Sequence, residues 1–487
     1  MKILFTDAPG GSGKTHAIAH RAIELVRQGH NVLIIQPTKD LIDHTKARYF
    51  GGIHCEVITS NTNSTSVIGK ILDYLQQPYP EPHILMVTWL AFERLPDFNQ
   101  RGQWHVFVDE VPQVYDRFPF KARKTHTYIT NQLQLAQHSG KFAAVHVKDR
   151  GEMRSLSEAA GYDDALSTYA DVARQLKSLN FACFVDHQRH AALLAGKSDD
   201  LIIYTLLNPS ILQGFASVTI AGARFKETLL YRLWSQSGVE FIDAAEINRT
   251  LRYRDHAGFE RLTIHYAFER SWSKCLRDSD AGMPFVAYCD AVQRANGDKR
   301  AIWIGNNDIE HSPFSGTHYQ RLPNYPHGLN NFQDDYDNVV CLSALNPSND
   351  LIGFLESVGL SRDEVLLNTY RHCVYQAVLR CSLRNPDRQT SNRVFVPDQP
   401  LALWLQSIFQ GSSVERLPVD YLLPARKLGR PKKYASATER QKAHRARQRS
   451  AIAEAASAAA LLSFSDDVSA HKIPTALKPA SRNETIL

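Results

Sequence analysis

Short apolar runs alternate with longer amphipathic stretches over the first hundred or so residues. The runs Ile3–Phe5, Val32–Ile35, Ile84–Val87 and Val106–Val108 have the length and composition of buried strands. Residues 16–28, between the first two runs, repeat their apolar positions at helical spacing. Strands that alternate with helices in this way are typical of an α/β domain built on a parallel sheet.

The second half of the chain repeats this alternation. Strand-like runs occur at 261–268, 283–290, 300–307 and 338–345, so we expect a second α/β domain. The length of 487 residues also exceeds what one hydrophobic core usually supports.

A long interval separates the last strand-like runs of the first domain, and we interpret it as an insertion. Residues 154–179 within it have the pattern of helices, so the insertion is expected to be helical. The predicted first domain covers 1–235 and contains the insertion at 116–205. The second domain covers 236–415, and a basic tail that is partly helical or disordered covers 416–487.

A glycine-rich loop, APGGSGKT, connects the first strand to the first helix. This strand–loop–helix arrangement is what a Walker A phosphate-binding loop requires, because backbone N–H groups and the helix N-terminus face the phosphates. Lys14 would reach the β- and γ-phosphates of ATP, and Thr15 would bind Mg²⁺. The predicted ATP-binding residues are Ala8, Pro9, Gly10, Gly11, Ser12, Gly13, Lys14, Thr15 and His16.

An acidic pair, Asp109-Glu110, follows the apolar run that ends at Val108. Carboxylates at the carboxyl end of a buried strand, downstream of a Walker A loop, form a Walker B arrangement. Asp109 would hold Mg²⁺, and Glu110 would act as the general base for the attacking water.

These motifs together resemble the superfamily 2, or DExx-box, helicases and translocases. DAPGGSGKT resembles motif I, VLIIQPTKDLIDHT resembles motif Ia and VTWLAF resembles motif Ib. VDEVP resembles motif II, with Pro112 where many members carry His or Asp. The resemblance implies two RecA-like domains in tandem, and contacts of Thr38 and Thr88 with nucleic acid. Seven residues before Ala8 leave no room for an upstream Gln motif, so we expect adenine to be held elsewhere.

Three weaker motifs extend the resemblance toward the second domain. Residues 221–223 resemble motif III, and Gly328-Leu329-Asn330 with Gln333 resembles motif V. A helix is predicted from about Val374 to near Asn385, and it resembles motif VI although Leu379 replaces the family glycine. Gln376, Arg380 and Arg384 recur every four residues, so this helix would carry them on one face. The resemblance implies that they reach the γ-phosphate, with Arg380 as the first candidate for the arginine finger and Arg384 as the second.

The positive charge of the chain is concentrated near its C-terminus. Residues 426–449 hold ten lysines and arginines and one glutamate, which gives this segment a net charge of +9. The whole chain has a net charge of +6, so the residues outside the segment have a net charge of −3. This asymmetry indicates a nucleic-acid-binding tail. Part of it resembles an AT-hook and part a basic helix, and the candidate contacts are Arg430, Lys432, Lys433, Arg440, Lys442, Arg445 and Arg447.

The composition of the chain indicates the cellular compartment in which the protein acts. No apolar run is long enough to span a membrane, and seven scattered cysteines without a C-x-x-C pair suit a reducing cytoplasm. We therefore expect a cytoplasmic protein of a bacterium or a phage-infected host that acts on DNA rather than RNA, with replication proteins as candidate partners.

The sequence thus predicts an ATP hydrolase of the helicase or translocase type, with ATP and Mg²⁺ as cofactors. Two alternatives stay open: a replication-initiation or DNA-packaging motor ATPase, and a DNA-binding regulator that uses a RecA-like fold as a nucleotide switch. The intact residues Lys14, Thr15, Asp109 and Glu110 argue against the regulator.

Overall fold

The computed structural model of the chain describes residues 1–60, 66–78, 81–121, 125–158, 164–198, 200–256, 258–324, 332–385, 387–388 and 390–423. Residues Met1–Leu422 form one compact unit. The predicted DNA contacts of the tail lie outside the described residues, as do three residues of the motif V candidate: Arg430, Lys432, Lys433, Arg440, Lys442, Arg445, Arg447, Gly328, Leu329 and Asn330.

In chain order the strands of the described part are β1 (Lys2–Asp7), β2 (Asn31–Gln36), β3 (Cys55–Val57), β4 (Ile84–Thr88), β5 (Trp104–Asp109), β6 (Tyr115–Lys121), β7 (Leu133–Ser139), β8 (Phe142–Val147), β9 (Phe181–Asp186), β10 (Asp200–Leu207), β11 (Ser217–Gly222), β12 (Glu240–Asp243), β13 (Leu262–Phe268), β14 (Ala301–Ile304), β15 (Tyr319–Leu322), β16 (Asn338–Cys341), β17 (Asn392–Asp398) and β18 (Ser413–Arg416).

The α-helices of the same residues are α1 (Lys14–Arg27), α2 (Lys39–Tyr49), α3 (Val67–Gln76), α4 (Trp89–Phe92), α5 (Thr127–Thr130), α6 (Arg150–Glu158), α7 (Asp164–Lys177), α8 (His187–Leu194), α9 (Leu229–Gln236), α10 (Ala245–Arg249), α11 (Lys274–Arg277), α12 (Met283–Asn296), α13 (Asn349–Ser357), α14 (Arg362–Leu366), α15 (His372–Val378) and α16 (Gln399–Ile408). A π-helical turn, Leu367–Arg371, joins α14 to α15.

The first domain is built on a seven-stranded parallel sheet in the order β12-β1-β11-β5-β2-β4-β3. Helices cover a parallel sheet on both faces, which is why β2 and β4 are almost uniformly apolar and buried. Because β11 lies between β1 and β5, the loops that follow these three strands meet at one edge of the sheet. Strand β12 belongs to this sheet although it lies beyond residue 235, where the sequence placed the boundary; its short, half-exposed sequence, EFID, carries little strand signal.

The insertion is a mixed α+β element rather than a helical one. Strands β6 to β10 form an antiparallel sheet in the order β6-β10-β9-β8-β7, and α5 to α8 accompany it. The helical prediction for 154–179 is correct for much of α6 and α7. The strands were missed because several of them, such as β6 and β7, interleave polar with apolar residues and so lack a continuous apolar run.

The second domain contains a six-stranded parallel sheet in the order β15-β14-β16-β17-β13-β18. Two parallel-sheet domains in tandem confirm the predicted fold class. One predicted strand, 283–290, is wrong, because these residues begin helix α12. A buried helix and a buried strand share the same apolar run, and Pro284 in the first turn favours the helix.

Helix α13 of the second half packs against the insertion of the first domain. Phe354 stacks on Tyr204 with ring centroids 4.5 Å apart, and both are buried. Arg189 donates from one nitrogen to both carboxylate oxygens of Asp350, at 2.9 Å each. The insertion therefore bridges the two halves of the unit. Among the described residues, no helix has the length and apolar character needed to cross a membrane.

Candidate active site

The phosphate loop follows β1 and ends at the first turn of α1. Gly11 and Gly13 adopt backbone φ angles of +85° and +91°, in a region that residues with a Cβ atom rarely occupy. The Lys14 ammonium lies over the loop and donates to the carbonyl oxygens of Ala8 at 2.9 Å and Pro9 at 2.7 Å. The loop thus has the shape that the Gly-rich sequence predicts, and its lysine is directed into it.

The acidic strand end lies directly beside the loop. Thr15 Oγ1 donates to Asp109 Oδ2 at 2.8 Å, and Gln36 Nε2 donates to the same oxygen at 2.9 Å. Burial raises the pKa of Asp109, while the hydrogen bonds from Gln36 and Thr15 oppose that rise. A threonine hydroxyl next to a carboxylate fits Mg²⁺, which uses one or two carboxylates together with phosphate and water oxygens. Thr15 and Asp109 are therefore the residues that would hold the ion.

Glu110 occupies a strained position at the turn after β5. Its φ of +88° lies in the left-handed region, which a non-glycine residue enters at a cost of about 1–3 kcal/mol. Its N–H donates to the carbonyl of Ala221 at 3.0 Å, which ties the turn to the end of β11. A Cβ at Gly222 would overlap Val111 Cγ2, so the glycine of the motif III candidate makes room for this turn.

The candidate motif VI residues form the opposite wall. Helix α15 ends at Val378, and a 3₁₀ turn follows at Ser382–Arg384, so the prediction of one continuous helical face is wrong. The break comes at Leu379, whose side chain packs so closely on the loop that a Cβ at Gly10 would lie 2.5 Å from its Cδ1.

The fold nevertheless directs the motif VI side chains toward the loop and the acidic pair. Arg380 is only 4% exposed, and burial together with the charge of Arg384 lowers its pKa to about 10. Arg384 abuts the loop, because a Cβ at Gly11 would lie 2.8 Å from Arg384 Cγ.

One cavity of about 880 Å³ brings these groups together. It is lined by loop and acidic residues of the first domain and by candidate residues of the second: Gly10, Gly11, Gly13, Lys14, Thr15, His16, Asp109, Glu110, Gln333, Gln376, Arg380 and Arg384. Among the other predicted loop residues, Ala8 and Pro9 supply carbonyls to Lys14, and the Ser12 side chain is buried beneath the loop.

Several residues that touch the loop were not predicted. Tyr375 OH accepts from Gly10 N–H at 3.1 Å, and Tyr253 OH donates to the Gly10 carbonyl at 2.9 Å. His256 Nε2 lies 2.8 Å from the Tyr375 hydroxyl. These tyrosines are 243 and 365 positions from Gly10. No local pattern marks such contacts, whereas Gln36, a further unpredicted partner of the site, lies within the motif Ia candidate itself.

A polar bridge crosses the cleft at the wall of the cavity, which Leu229, Asn368 and His372 line. Asn368 Nδ2 donates to the Glu227 carbonyl at 2.7 Å, and Asn368 Oδ1 accepts from Leu229 N–H at 2.9 Å. His372 Nε2 lies 3.2 Å from Glu227 Oε2. Although burial opposes it, hydrogen bonds from His372 and Arg224 hold the pKa of Glu227 at about 2. The carboxylate therefore stays charged at neutral pH and links the domains.

Thr38 and Thr88 both cap helices at the edge of the first sheet. Thr38 Oγ1 accepts from Leu41 N–H, and Thr88 Oγ1 accepts from Ala91 N–H, each at 3.3 Å. Thr38 follows β2 by two residues, and Thr88 is the last residue of β4. Strand β2 lies between β4 and β5, the strand that ends at Asp109. Their contact with nucleic acid stays a prediction.

The pKa of Lys14 predicts how nucleotide affinity depends on pH. Burial lowers this pKa to about 8, against the opposing effects of Glu110 and Asp109. Above pH 8 the uncharged lysine must take up a proton to bind a triphosphate, so the Kd for ATP should rise by up to about tenfold per pH unit.

Calorimetric titration with ATP between pH 7 and 9 checks this dependence. At pH 8.5 the binding enthalpy of the wild type should vary with the ionisation enthalpy of the buffer, and that of Lys14→Ala should not. A constant Kd across this range would contradict the prediction.

No family model matches the sequence, and no curated protein matches it. Similar solved structures include Xpd4 of S. tokodaii, with 10% identity over 85% of this chain and 96% of that one and a TM-score of 0.47. An XPD helicase is 13% identical over 85% of this chain and 96% of its own chain, with a TM-score of 0.45. S. cerevisiae Dbp5 bound to RNA and ADP BeF3 has 8% identity over 86% of each chain, with a TM-score of 0.37. Since these TM-scores lie below 0.5, it is the strand order and register that identify the two parallel-sheet domains.

Proposed function

We propose that this protein is an ATP-dependent nucleic-acid helicase or translocase, acting on DNA rather than RNA. One observation carries the proposal: the phosphate loop, the acidic pair and two arginines of the other domain, Arg380 buried and Arg384 partly buried, line a single cavity. A site completed by two domains responds to its nucleotide by changing how the domains meet, and this is the basis of a motor.

Each residue of the cavity has a role that its position supports. Lys14 binds the β- and γ-phosphates, and Thr15 and Asp109 hold the metal ion. Mg²⁺, when bound, neutralises charge on the phosphate oxygens. Glu110 accepts a proton from the attacking water, which requires a carboxylate close to the terminal phosphate. Arg380 and Arg384 stabilise the charge that develops on the transferred phosphoryl group.

The contacts around Gly10 suggest how the nucleotide is coupled to domain movement. The Gly10 N–H donates to Tyr375 of the second domain, and the same N–H belongs to the loop that cradles phosphates. When this donor turns to a phosphate oxygen, Tyr375 loses its hydrogen bond to the loop, keeps the one to His256, and α15 can shift. Arg380 and Arg384 follow α15 in the chain, so they would move with it.

Nucleic acid is proposed to bind at the edge formed by Thr38 and Thr88, assisted by the basic segment 426–449. A net charge of +9 over 24 residues is suited to neutralising phosphates, and it contrasts with the net −3 of the remaining chain. This distribution favours attraction to a polyanion at the tail, with sequence-independent contacts.

ATP hydrolysis with and without nucleic acid tests the proposal. We expect the wild type to hydrolyse ATP, with stimulation of about tenfold or more by single-stranded DNA and less by RNA. Lys14→Ala should abolish turnover in every condition. Deletion of 426–487 should raise the DNA concentration needed for half-maximal stimulation, because the phosphate contacts of the tail are lost.

The same assay separates this function from a nucleotide-switch regulator. A regulator would bind ATP and DNA with little turnover and no stimulation, and that result would refute the motor. A strand-displacement assay on duplexes with 5′ or 3′ single-stranded tails then distinguishes unwinding from translocation alone.

A further inference from the structure

We propose that the base of the bound nucleotide stacks on Tyr49, with His16 as the second wall, so that the cavity ends in a purine-binding subsite. This inference rests on the proposed function, because it assigns the base of the same nucleotide whose phosphates lie in the loop. None of the motifs discussed above provides for the base.

Tyr49 belongs to the same cavity as the phosphate loop. It is the last residue of α2, while His16 lies in the first turn of α1. Both residues line the cavity, as do Arg48 and Arg252. Helices α1 and α2 follow β1 and β2, so this end of the cavity is a fixed part of the first domain.

The chemistry of the site fixes the direction in which the nucleotide must extend. Thr15 and Asp109 mark the metal position, and Glu110 and Arg380 mark the terminal phosphate. The α-phosphate therefore leaves the loop at the opposite end, beside the first turn of α1. His16 follows Thr15 directly, and successive side chains are separated by about 100° around a helix. It consequently presents a different face from the metal ligand, on the side where the ribose and base emerge.

The rings at this end form a cluster suited to stacking. The ring centroids of His16 and Tyr49 are 5.5 Å apart at 59°, and those of His16 and His20 are 4.2 Å apart. The guanidinium of Arg48 lies 5.4 Å from the centroid of the Tyr49 ring. Aromatic faces accept any base, and purines offer the larger stacking area.

Arg252 closes the subsite from the side of the loop. Its N–H donates to the Ser12 carbonyl at 2.9 Å, and its Cγ would lie 3.8 Å from a Cβ at Gly13. Arg252 also lines the cavity, so its cation lies beside the same end of the site. Because the platform is built from ring faces, we expect ATP and GTP to bind within a few-fold of each other and CTP more weakly.

Two ligands separate a base platform from a structural role of Tyr49. Tyr49 also packs against the core around α1 and α2, so its removal could disturb the loop itself. ATP carries a base, whereas inorganic tripolyphosphate reaches only the phosphate positions. We expect Tyr49→Ala to weaken ATP binding about tenfold, as the loss of one base–aromatic stack does, and to leave tripolyphosphate binding within twofold of the wild type.

The measurement is calorimetric titration of the full chain with ATP, CTP and tripolyphosphate. Tyr49→Phe keeps the ring and should retain the wild-type Kd for ATP. Tyr128→Ala, which removes an exposed tyrosine outside the cavity, should change nothing. In Tyr49→Ala the preference for ATP over CTP should also disappear.

Two results would overturn the platform. One is an unchanged Kd for ATP in Tyr49→Ala. The other is a loss of affinity for tripolyphosphate that equals the loss for ATP, in both Tyr49→Ala and Tyr49→Phe. Because the readout is binding, a wild type that binds ATP without hydrolysing it would refute the motor and still test the subsite.

Discussion

The Glu110→Gln variant is expected to lose about a thousandfold in kcat for ATP hydrolysis while its KM for ATP stays within about twofold of the wild type. The amide matches the carboxylate in size and can keep the φ of +88°, but it cannot accept a proton from water. Lys14, Thr15 and Asp109 are untouched, so the phosphates and the metal ion keep their ligands. Steady-state hydrolysis at saturating single-stranded DNA measures the effect.

The matched control is Glu93→Gln. Burial, and then the nearby charge of Asp116, raises the pKa of Glu93 to about 7, and this side chain does not line the cavity. The same substitution there should leave kcat and KM unchanged. If Glu110→Gln keeps its turnover, another group activates the water and the assignment of the acidic pair is wrong.

The Arg380→Ala variant is expected to lose about a thousandfold in kcat with no loss of thermal stability. An arginine that reaches the γ-phosphate from a second domain contributes on this scale to phosphoryl transfer. Burial and repulsion by Arg384 already lower the pKa of Arg380 to about 10, so the folded protein does not depend on this charge for stability. The function of such a costly cation lies in its contact with the substrate.

Arg384→Ala tests the second candidate in the same assay. Arg384 abuts the loop at Gly11, so we expect this variant to raise the KM for ATP as well as to lower kcat. Arg300→Ala is the control, because Arg300 donates to Asp335 and to the Tyr336 hydroxyl, and none of these three residues lines the cavity. A larger loss of kcat for Arg384→Ala than for Arg380→Ala would reverse the order of the two arginines.

The local elements of the first domain follow from the sequence. Adjacent residues encode the phosphate loop: a buried apolar run forms β1, the glycines allow positive φ, and a helix begins at Lys14. The acidic pair and the parallel strands are encoded by neighbouring residues in the same way. The contact between Thr15 and Asp109 was also predictable, since parallel strands bring their carboxyl ends to one edge. These features depend on periodicity and short-range geometry, which the order of residues determines directly.

Other features were decided by tertiary packing. The apolar run at 283–290 is compatible with a strand or a helix by its periodicity, and it forms α12 with Pro284 in the first turn and residues such as Tyr288 buried. Likewise, the helix that carries Gln376 ends at Val378 because Leu379 packs on the loop, and the arginines reach the cavity through a turn instead of a shared helical face.

What the sequence by itself determined about this protein is the phosphate loop, the acidic pair and the two-sheet class. Only the tertiary structure decided which distant side chains complete the site, among them Tyr375 on Gly10, Tyr253 beside it and Tyr49 at the far end of the cavity. The physical reason is the range of the interactions. Backbone conformation and amphipathic pattern are properties of neighbours in the chain, whereas a contact across hundreds of residues depends on how whole sheets and helices pack.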